Sequence, residues 1–288
     1  MKNLKARLLC YFSCYLAYWA RFFSGKEVLD MLGKEKMTII SQKEIAPRIY
    51  ELVLEGDLVL EMAIGQFLHI RVPDPSKLLR RPISISDVDK ANKQARLIYR
   101  VEGAGTELFS SLSAGDKLDC MGPQGNGFDI SFLSAGKTVL IIGGGIGVPP
   151  LRELAKQLQK KGVKLTIVLG FATKEAVILE KELSEYGQVH ITTDDGSYGV
   201  KGYVSTIVDG LRDDFDAVYA CGAPGMLSYV DQRFEKHPHA YISMESRMAC
   251  GMGACYACVV HLKNQSDEAN QRVCEDGPVF KTGRIRLD

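Results

Sequence analysis

Cys250, Cys255, Cys258 and Cys274 are the residues best placed by type and spacing to do chemistry. They lie in MACGMGACYACVV and RVCEDGPVF, with the spacing C-x4-C-x2-C-x15-C. Four thiolates at this plant-type spacing hold two irons and two sulfides, a [2Fe–2S] cluster. Gly251, Gly253, Ala254 and Ala257 fill the gaps with nearly the smallest side chains available. Small residues let the backbone wrap closely and turn N–H groups toward the cluster sulfurs, which tunes the reduction potential. The other uses for such cysteines are a zinc site, disulfides or buried thiols. Zinc ribbons carry two short C-x2-C pairs, and this run has one. Disulfides belong to secreted chains, and nothing else here points to secretion. A cluster of this kind moves one electron at a time, so a cofactor that handles two is the next thing to find.

The chain of 288 residues can supply two or three domains and a sizeable core. A net charge of +1, with charged residues at 25 %, excludes the strong basic field that nucleic acid binding needs. The other cysteines are scattered at 10, 14, 120 and 221, which suits a reducing, cytoplasmic setting. Residues 8–20, LLCYFSCYLAYWA, form an apolar run behind Lys2, Lys5 and Arg7, like the start of a signal peptide. Arg21 ends that run after 13 residues, too short for a membrane-spanning helix, and no A-x-A cleavage site follows. We read residues 1–36 as an N-terminal extension of unknown role, from a start assigned too far upstream, with Met37 the natural beginning. A peripheral amphipathic anchor is the alternative.

Three regions must position the cysteines and their partner cofactors. Residues 37–133 read as short strands, MTIISQK, RIYELVLEG, QFLHIRV and ARLIYRVEG, punctuated by Gly and Pro. That pattern predicts a small antiparallel β-barrel. Over residues 134–240 strands alternate with helices, as an open parallel α/β sheet requires. KTVLIIGGGIG is a buried strand running into a glycine turn. VPPLRELAKQLQKKG reads as a helix, with Leu151, Leu154, Ala155 and Leu158 at helical spacing, and KEAVILEKELSEYG as another. Residues 241–288 form a small cysteine- and glycine-rich domain with short strands such as ACVVHL.

Gly143, Gly144, Gly145 and Gly147 follow an apolar strand and open a helix. Backbone amides there, with the positive end of the helix dipole, cradle a pyrophosphate. Val148 stands where a strict G-x-G-x-x-G has its last glycine, and a ligand-free tight turn is the alternative reading. Pro149 and Pro150 fit the first helical turn, which needs no amide donor. Cys221 and Gly222, in CGAPGM, follow another strand of the same sheet, and ligands bind beyond the carboxyl ends of such strands. For Cys221 the plainer reading is a small buried residue.

In LLRRPISIS, Arg81, Pro82, Ile83 and Ser84 end a barrel-like segment. An arginine can grip a flavin diphosphate, and a serine hydroxyl can reach the flavin N5. Ile98, Tyr99 and Arg100 come next, then Gly103, Gly105 and Thr106. Each piece alone reads as a turn or a hairpin. Their order, ahead of a strand–glycine–helix turn, resembles the ferredoxin reductase superfamily, in which a flavin barrel precedes a pyridine-nucleotide domain.

Residues 37–288 resemble, more narrowly, the electron transfer subunits of NAD-dependent, class 1B dihydroorotate dehydrogenases. RRPISI, GPQGNGF, GGGIGVPPL, TDDGSYGVKG, CGAPGM and ESRMACGMGACYACVV with VCEDGPVF carry the resemblance. It implies FAD contacts at Arg81–Ser84, Ile98–Arg100, Gly105 and Thr106, and cluster ligation by Cys250, Cys255, Cys258 and Cys274. It implies NAD as acceptor, and an FMN-containing catalytic subunit as partner in a heterotetramer of two of each. A flavin-bearing (β/α)8 barrel that could oxidise dihydroorotate takes roughly 250 residues, and this chain spends its length otherwise. Subunits of NADPH:ferredoxin and sulfide-type oxidoreductases are the near rivals. Some carry aspartate at the first ligand position, where this chain has Cys250. Glu275, before D-G-P, reads as harmless variation. No arginine follows the second α/β strand to hold a 2′-phosphate, although Lys174 lies nearby in sequence.

Overall fold

The computed structural model describes residues 33–266 and 268–287. The apolar run over residues 8–20 lies outside the described residues. Six strands come first: β1 (Lys34–Ala46), β2 (Ile49–Glu55), β3 (Phe67–Ile70), β4 (Arg81–Asp89), β5 (Gln94–Arg100) and β6 (Lys117–Gln124). They close an antiparallel barrel in the order β1-β2-β5-β4-β3-β6. Strand alternation turns Met37, Ile39, Leu52, Leu54 and Leu97 into its core. Phe109, on the short helix α1 (Ala104–Ser110), plugs the barrel edge-on to Tyr99, with ring centroids 6.0 Å apart. The first strand begins ahead of Met37: Lys34–Lys36 pair with Asp119–Met121. Their charged sequence hides the strand, and Glu35 spends its carboxylate on the amides of Asp57 and Leu58 at 3.0 and 2.9 Å.

The second unit contains β7 (Thr138–Gly144), α2 (Pro149–Lys160), β8 (Lys164–Phe171), α3 (Glu180–Ser184), β9 (Gln188–Thr193), β10 (Val200–Lys201), α4 (Ser205–Val208), β11 (Ala217–Cys221), α5 (Pro224–Arg233) and β12 (Ala240–Ser243). The C-terminal segment adds β13 (Val259–His261), β14 (Asn270–Arg272) and β15 (Val279–Lys281). Strands β13 and β14 form a hairpin, while β15 leaves them to pair antiparallel with β12. The sheet order is β10-β9-β8-β7-β11-β12-β15, parallel up to that last strand. The nucleotide sheet therefore runs through residue 240, where the composition changes, and its edge is finished by the cysteine-rich segment.

Helix α2 forms as its sequence predicts, with both prolines in the first turn and Leu151, Leu154, Ala155 and Leu158 buried. The helix expected over KEAVILEKELSEYG is mostly absent, and only Glu180–Ser184 are α-helical. Ile178 and Leu179 leave the helical path to enter the core, and Leu179 adopts a left-handed φ of 61°. β-Branched Val177 and Ile178 favour that extended path.

A cluster of charges joins the barrel to α2 and α3. Arg96 forks onto Glu182 at 2.6 and 2.9 Å and also meets Glu51. Arg152 reaches Glu182 at 2.6 Å and Asp87 at 2.5 Å. Lys156 pairs with Glu153 at 2.7 Å and with Asp87, and Glu153 accepts the Val88 amide at 3.1 Å. These contacts fix the barrel and the α/β sheet as one frame around the sites below.

Candidate functional site

The four cysteines come together in a loop between β12 and β13 and in the turn after β14. Cys258 and Cys274 are buried, Cys250 is half-buried and Cys255 is exposed. Gly251 and Gly253 take left-handed φ values of 72° and 78°, which a side chain would strain. The resulting turns aim amides at sulfur: Gly253 N–H donates to Cys274 Sγ at 3.1 Å and Met252 N–H to Cys250 Sγ at 3.4 Å. The thiols fall in two pairs. Cys250 N–H meets Cys255 Sγ at 3.4 Å, and Cys274 N–H meets Cys258 Sγ at 3.5 Å. A zinc ion would need all four around one centre, whereas two irons take two thiolates each. The donor set, the amide cradle and the pairing fit a [2Fe–2S] cluster.

The thiols differ in acidity. Backbone amides of Cys250 and Ala257 hold the Cys255 thiol down to about 7. Burial, and then the Cys258 thiol, push Cys274 up to about 12. Cys274 therefore needs the positive charge of bound metal to become thiolate, which makes loading sensitive to pH.

The candidate flavin residues cluster on adjacent elements. Arg81–Ser84 are half-buried on β4, beside β5, which carries Ile98, Tyr99 and Arg100. The Arg81 guanidinium lies across Gly105, where an added Cβ would fall 2.6 Å from Nε. Thr106 Oγ1 accepts the amides of Glu102 and Gly103 at 3.1 and 3.3 Å and so shapes the turn into α1. The side chain of Tyr99 faces the barrel core, its hydroxyl donating to Gln42 Oε1 at 3.1 Å. Ile98 is enclosed in the core shared with the α/β unit. Of these three, Arg100 reaches the adjoining cavity, with Nε donating to Glu102 at 2.7 Å.

That cavity, of about 1000 Å³, opens beyond the carboxyl ends of β7, β8, β9 and β11. Its size is at the upper end of small-molecule sites, roughly 300–1,000 Å³. Gly144, Gly145, Gly147 and Gly222 line it, whereas Gly143 and Cys221 do not. Gly143 is packed inside the sheet, where a Cβ would lie 2.9 Å from side chains of Leu169 and Val148. Burial pushes the Cys221 thiol up to about 12, which leaves it an inert core group. Gly147 is needed for close approach, since its Cβ would come 2.5 Å from the Gly222 nitrogen. Gly145, at φ 52°, has open space around it, so its backbone is free to meet a phosphate at the start of α2. Tyr203, 69 % exposed, Asp194 and Glu245 complete the working walls. Glu245 opens to the cavity but has protein close around it. Burial, and then Glu102, raise its pKa against the opposing pull of Arg100.

Sequence reasoning missed two residues that hold the cluster loop. Arg272 Nη1 donates to the Gly253 carbonyl at 2.7 Å, and its guanidinium lies 5.3 Å from the Tyr256 ring centre. Arg272 also pairs with Glu275 at 2.8 Å and Asp276 at 3.3 Å, so Glu275 is a working part of the turn rather than idle variation. His69, fully buried on β3, lies under Gly251. A polar residue inside the otherwise apolar Phe67–Ile70 strand was the one available signal for it; Arg272 offered none.

Family models match three consecutive stretches. Residues 36–128 match an oxidoreductase FAD-binding domain, and residues 141–232 an oxidoreductase NAD-binding domain. Residues 245–286 match the iron–sulfur cluster binding domain of dihydroorotate dehydrogenase B. The dihydroorotate dehydrogenase B (NAD(+)) electron transfer subunit of Streptococcus mutans is 69 % identical over 90 % of this chain and all of its own length. That of Geobacillus thermodenitrificans is 49 % identical over 89 % of this chain and all of its own length. Among solved structures, an NADH-dependent reduced ferredoxin-NADP oxidoreductase aligns with a TM-score of 0.78 at 28 % identity, covering 89 % of this chain and 91 % of its own. The cytochrome b5 reductase domain of Ulva prolifera nitrate reductase, at 16 % identity and a TM-score of 0.61, shares the fold over 73 % of this chain and 97 % of its own. Flavin-type barrel, nucleotide cavity and paired cysteines thus occur here in the order, and with the identity, that place this chain in the family of dihydroorotate dehydrogenase B (NAD(+)) electron transfer subunits.

Proposed function

We propose that this chain passes electrons to NAD+ from a separate, FMN-containing subunit that oxidises dihydroorotate to orotate in pyrimidine biosynthesis. The observation that carries this reading is the contact between the cluster loop and the flavin motif. Gly251 rests on His69, and His69 pairs in the barrel with Pro82. When bound, the [2Fe–2S] cluster supplies one-electron transfer and FAD supplies the conversion to a hydride for NAD+.

The chain's own residues hold and orient these groups. In this reading Cys250 and Cys255 take one iron, and Cys258 and Cys274 the other. Arg81 would hold the flavin diphosphate and the Ser84 hydroxyl would serve the flavin N5, with the Ile98–Arg100 backbone, Gly105 and Thr106 completing that site. The turn at Gly144, Gly145 and Gly147, with Gly222 opposite, receives the NAD pyrophosphate. Residues 37–133, 134–240 and 241–288 serve as flavin, nucleotide and cluster units, with Lys34–Lys36 joining the first and β15 lent to the second. Cys255 and the adjoining Tyr256, 60 % exposed, mark the side on which the partner docks. We take the assembly to be a heterotetramer of two of each subunit in the cytoplasm. No helix among the described residues is long and apolar enough to cross a membrane.

The likeness to an NADH-dependent reduced ferredoxin-NADP oxidoreductase favours, as a second reading, a reductase that serves ferredoxin. One experiment separates the two. The chain purified anaerobically shows flavin and [2Fe–2S] absorbance, and NADH bleaches both. With the catalytic subunit added, dihydroorotate yields orotate at the expense of NAD+. Flavin without iron overturns the first reading. NADH-driven reduction of ferredoxin, with no orotate in the presence of the catalytic subunit, establishes the second.

A further inference from the structure

His69 sits where the two redox sites meet. Its backbone pairs with Pro82 of the flavin motif on one side and with Met121 of β6 on the other. Its carbonyl accepts a hydrogen bond from Arg80 Nη1 at 3.1 Å, which fixes the strand at this point. The imidazole is fully enclosed and lies against the cluster loop. A Cβ at Gly251 would fall 2.2 Å from Nδ1 and 2.8 Å from Cε1, so only glycine lets the loop settle on this edge of the ring.

Neither ring nitrogen completes a hydrogen bond of good geometry, although the backbone of Cys250, on the cluster loop, and that of Arg80 lie close to the ring. An imidazole carries at least one N–H in any protonation state, so the ring has a donor to place. Folded proteins rarely leave such a group unmet, and an orphaned donor in a functional region points to something bound there. Residue 250, directly before Gly251, is a candidate cluster ligand. Once metal is bound, the thiolates and sulfides become negative acceptors, and donors around them set the reduction potential.

We propose that His69 is a positioning residue for the cluster: its buried N–H donates to the Cys250 side of the cluster site, stabilises the reduced, more negative cluster and ties the loop to the strand beside the flavin motif. The proposal rests on the cluster being held by the four cysteines, as argued above. It gives one side chain control over both the potential of the cluster and its seating against the flavin domain.

The test uses the intact complex with the catalytic subunit, purified anaerobically, at one fixed pH. His69→Phe keeps a buried ring without a donor, and His69→Gln keeps a donor without the ring. Iron and flavin are counted, the cluster midpoint potential is titrated, and the electron paramagnetic resonance spectrum of the reduced cluster is recorded. The expected result is a lower potential and altered g-values in His69→Phe, with His69→Gln returning toward the parent on both. A potential and spectrum in His69→Phe that match the parent overturn the proposal, as does a His69→Gln shift equal to that of His69→Phe. If His69→Phe does not retain iron, His69→Met takes its place, and a parent-like potential in that variant overturns the proposal equally. A parent complex holding flavin but no iron overturns the functional reading itself, and this proposal with it.

Discussion

The guanidinium of Arg81 is laid flat over Gly105, close enough that a Cβ at residue 105 would come within 2.6 Å of Nε and 2.8 Å of Nη2. Arg81 Nη1 is held from the other side by the Leu79 carbonyl at 2.7 Å. A side chain at 105 therefore has to move Arg81 out of its seat. Gly105→Ala should lower FAD content while leaving the iron content unchanged, measured by absorbance and metal analysis on the same sample. Arg81→Ala removes the charge outright. Hydrogen bonds to charged groups are worth about 1.5–3 kcal/mol, so FAD should bind roughly tenfold to a hundredfold more weakly. Equal FAD affinity in both variants and the parent would show that the diphosphate is held elsewhere.

Asp194 should decide between the two nicotinamide nucleotides. It directly follows β9, is exposed and lines the cavity. Lys174, the cation considered for a 2′-phosphate, instead has its Nζ 5.9 Å from the ring centre of Tyr198. A carboxylate in an adenosine-ribose position accepts hydroxyl hydrogen bonds and repels a phosphate. Asp194→Asn should therefore raise kcat/KM for NADPH by about tenfold, the effect of about 1.4 kcal/mol, with a smaller loss for NADH. Steady-state rates with each nucleotide and a dye acceptor give the ratio. An unchanged ratio removes Asp194 from the specificity site.

The charge network between barrel and α/β unit should dominate mutational stability. Arg152, half-buried on α2, serves both Asp87 and Glu182, so Arg152→Ala leaves Asp87 with Lys156 and Glu182 with Arg96 as their remaining cations. Hydrogen bonds to charged groups are worth about 1.5–3 kcal/mol, and the loss should be of that order. Thermal unfolding of the holoprotein should report that loss, and replacing all three residues with well-packed apolar ones should recover much of it.

The same network makes acid stability predictable in sign. Burial alone would raise Asp87, but its hydrogen bonds with Glu153 and Lys156 and the charge of Arg152 bring it down to about 2. Burial likewise opposes Glu182, and Arg96 and Arg152 pull it below the usual carboxylate range. A carboxylate depressed in the folded state stabilises the fold fully above its ordinary pKa and loses that contribution as pH falls toward the folded value. Glu153 moves the other way, raised by burial and then by its contact with Asp87, and offsets part of the loss. Melting temperatures should thus fall from about pH 5 toward about pH 2, and Asp87→Asn should flatten that fall at the expense of neutral-pH stability. A parent curve that is flat over this range contradicts the assignment.

Much of this is legible in the sequence. Glycine turns after apolar runs located the ends of β7 and β11, because a parallel strand buried on both faces leaves a continuous apolar signature. Cysteine spacing located the cluster loop for the same reason: ligand geometry is local in sequence. What stayed hidden was nonlocal. β15 carries only Val279–Lys281, and nothing in those three residues says that they pair with β12 rather than with their own hairpin. Tyr99 sits in a motif tied to flavin, yet strand alternation sends its ring into the barrel. Cys221 and Gly143 lie one residue from cavity-lining positions and are core groups. His69 comes from a segment far from the ligands, and Arg272, two residues before Cys274, clamps Gly253 19 residues away, so only packing brings these contacts in.

Arg272 and Gly253 offer the sharpest separation of cluster from flavin. Gly253 has a left-handed φ of 78°, and a Cβ there would lie 1.4 Å from Glu275 Oε2 and 3.0 Å from Arg272 Nη1. The Glu275 carboxylate can swing aside only by giving up its pair with Arg272, and the left-handed φ strains any side chain here in addition. The Gly253 amide points the other way, onto Cys274 Sγ. Displacing this residue therefore removes a hydrogen bond from a ligand as well as the clamp. Gly253→Ala should lose most of its iron while keeping FAD, so NADH would still bleach the flavin but no orotate would form with the catalytic subunit. Arg272→Lys keeps the charge but not the forked reach to Gly253, Glu275 and Asp276, and outer-shell losses of this kind typically cost about 10–100-fold in metal affinity or activity. Iron content after timed exposure to a chelator should rank the parent above Arg272→Lys and Arg272→Lys above Gly253→Ala. A Gly253→Ala protein that retains full iron would mean the clamp is not what holds the loop.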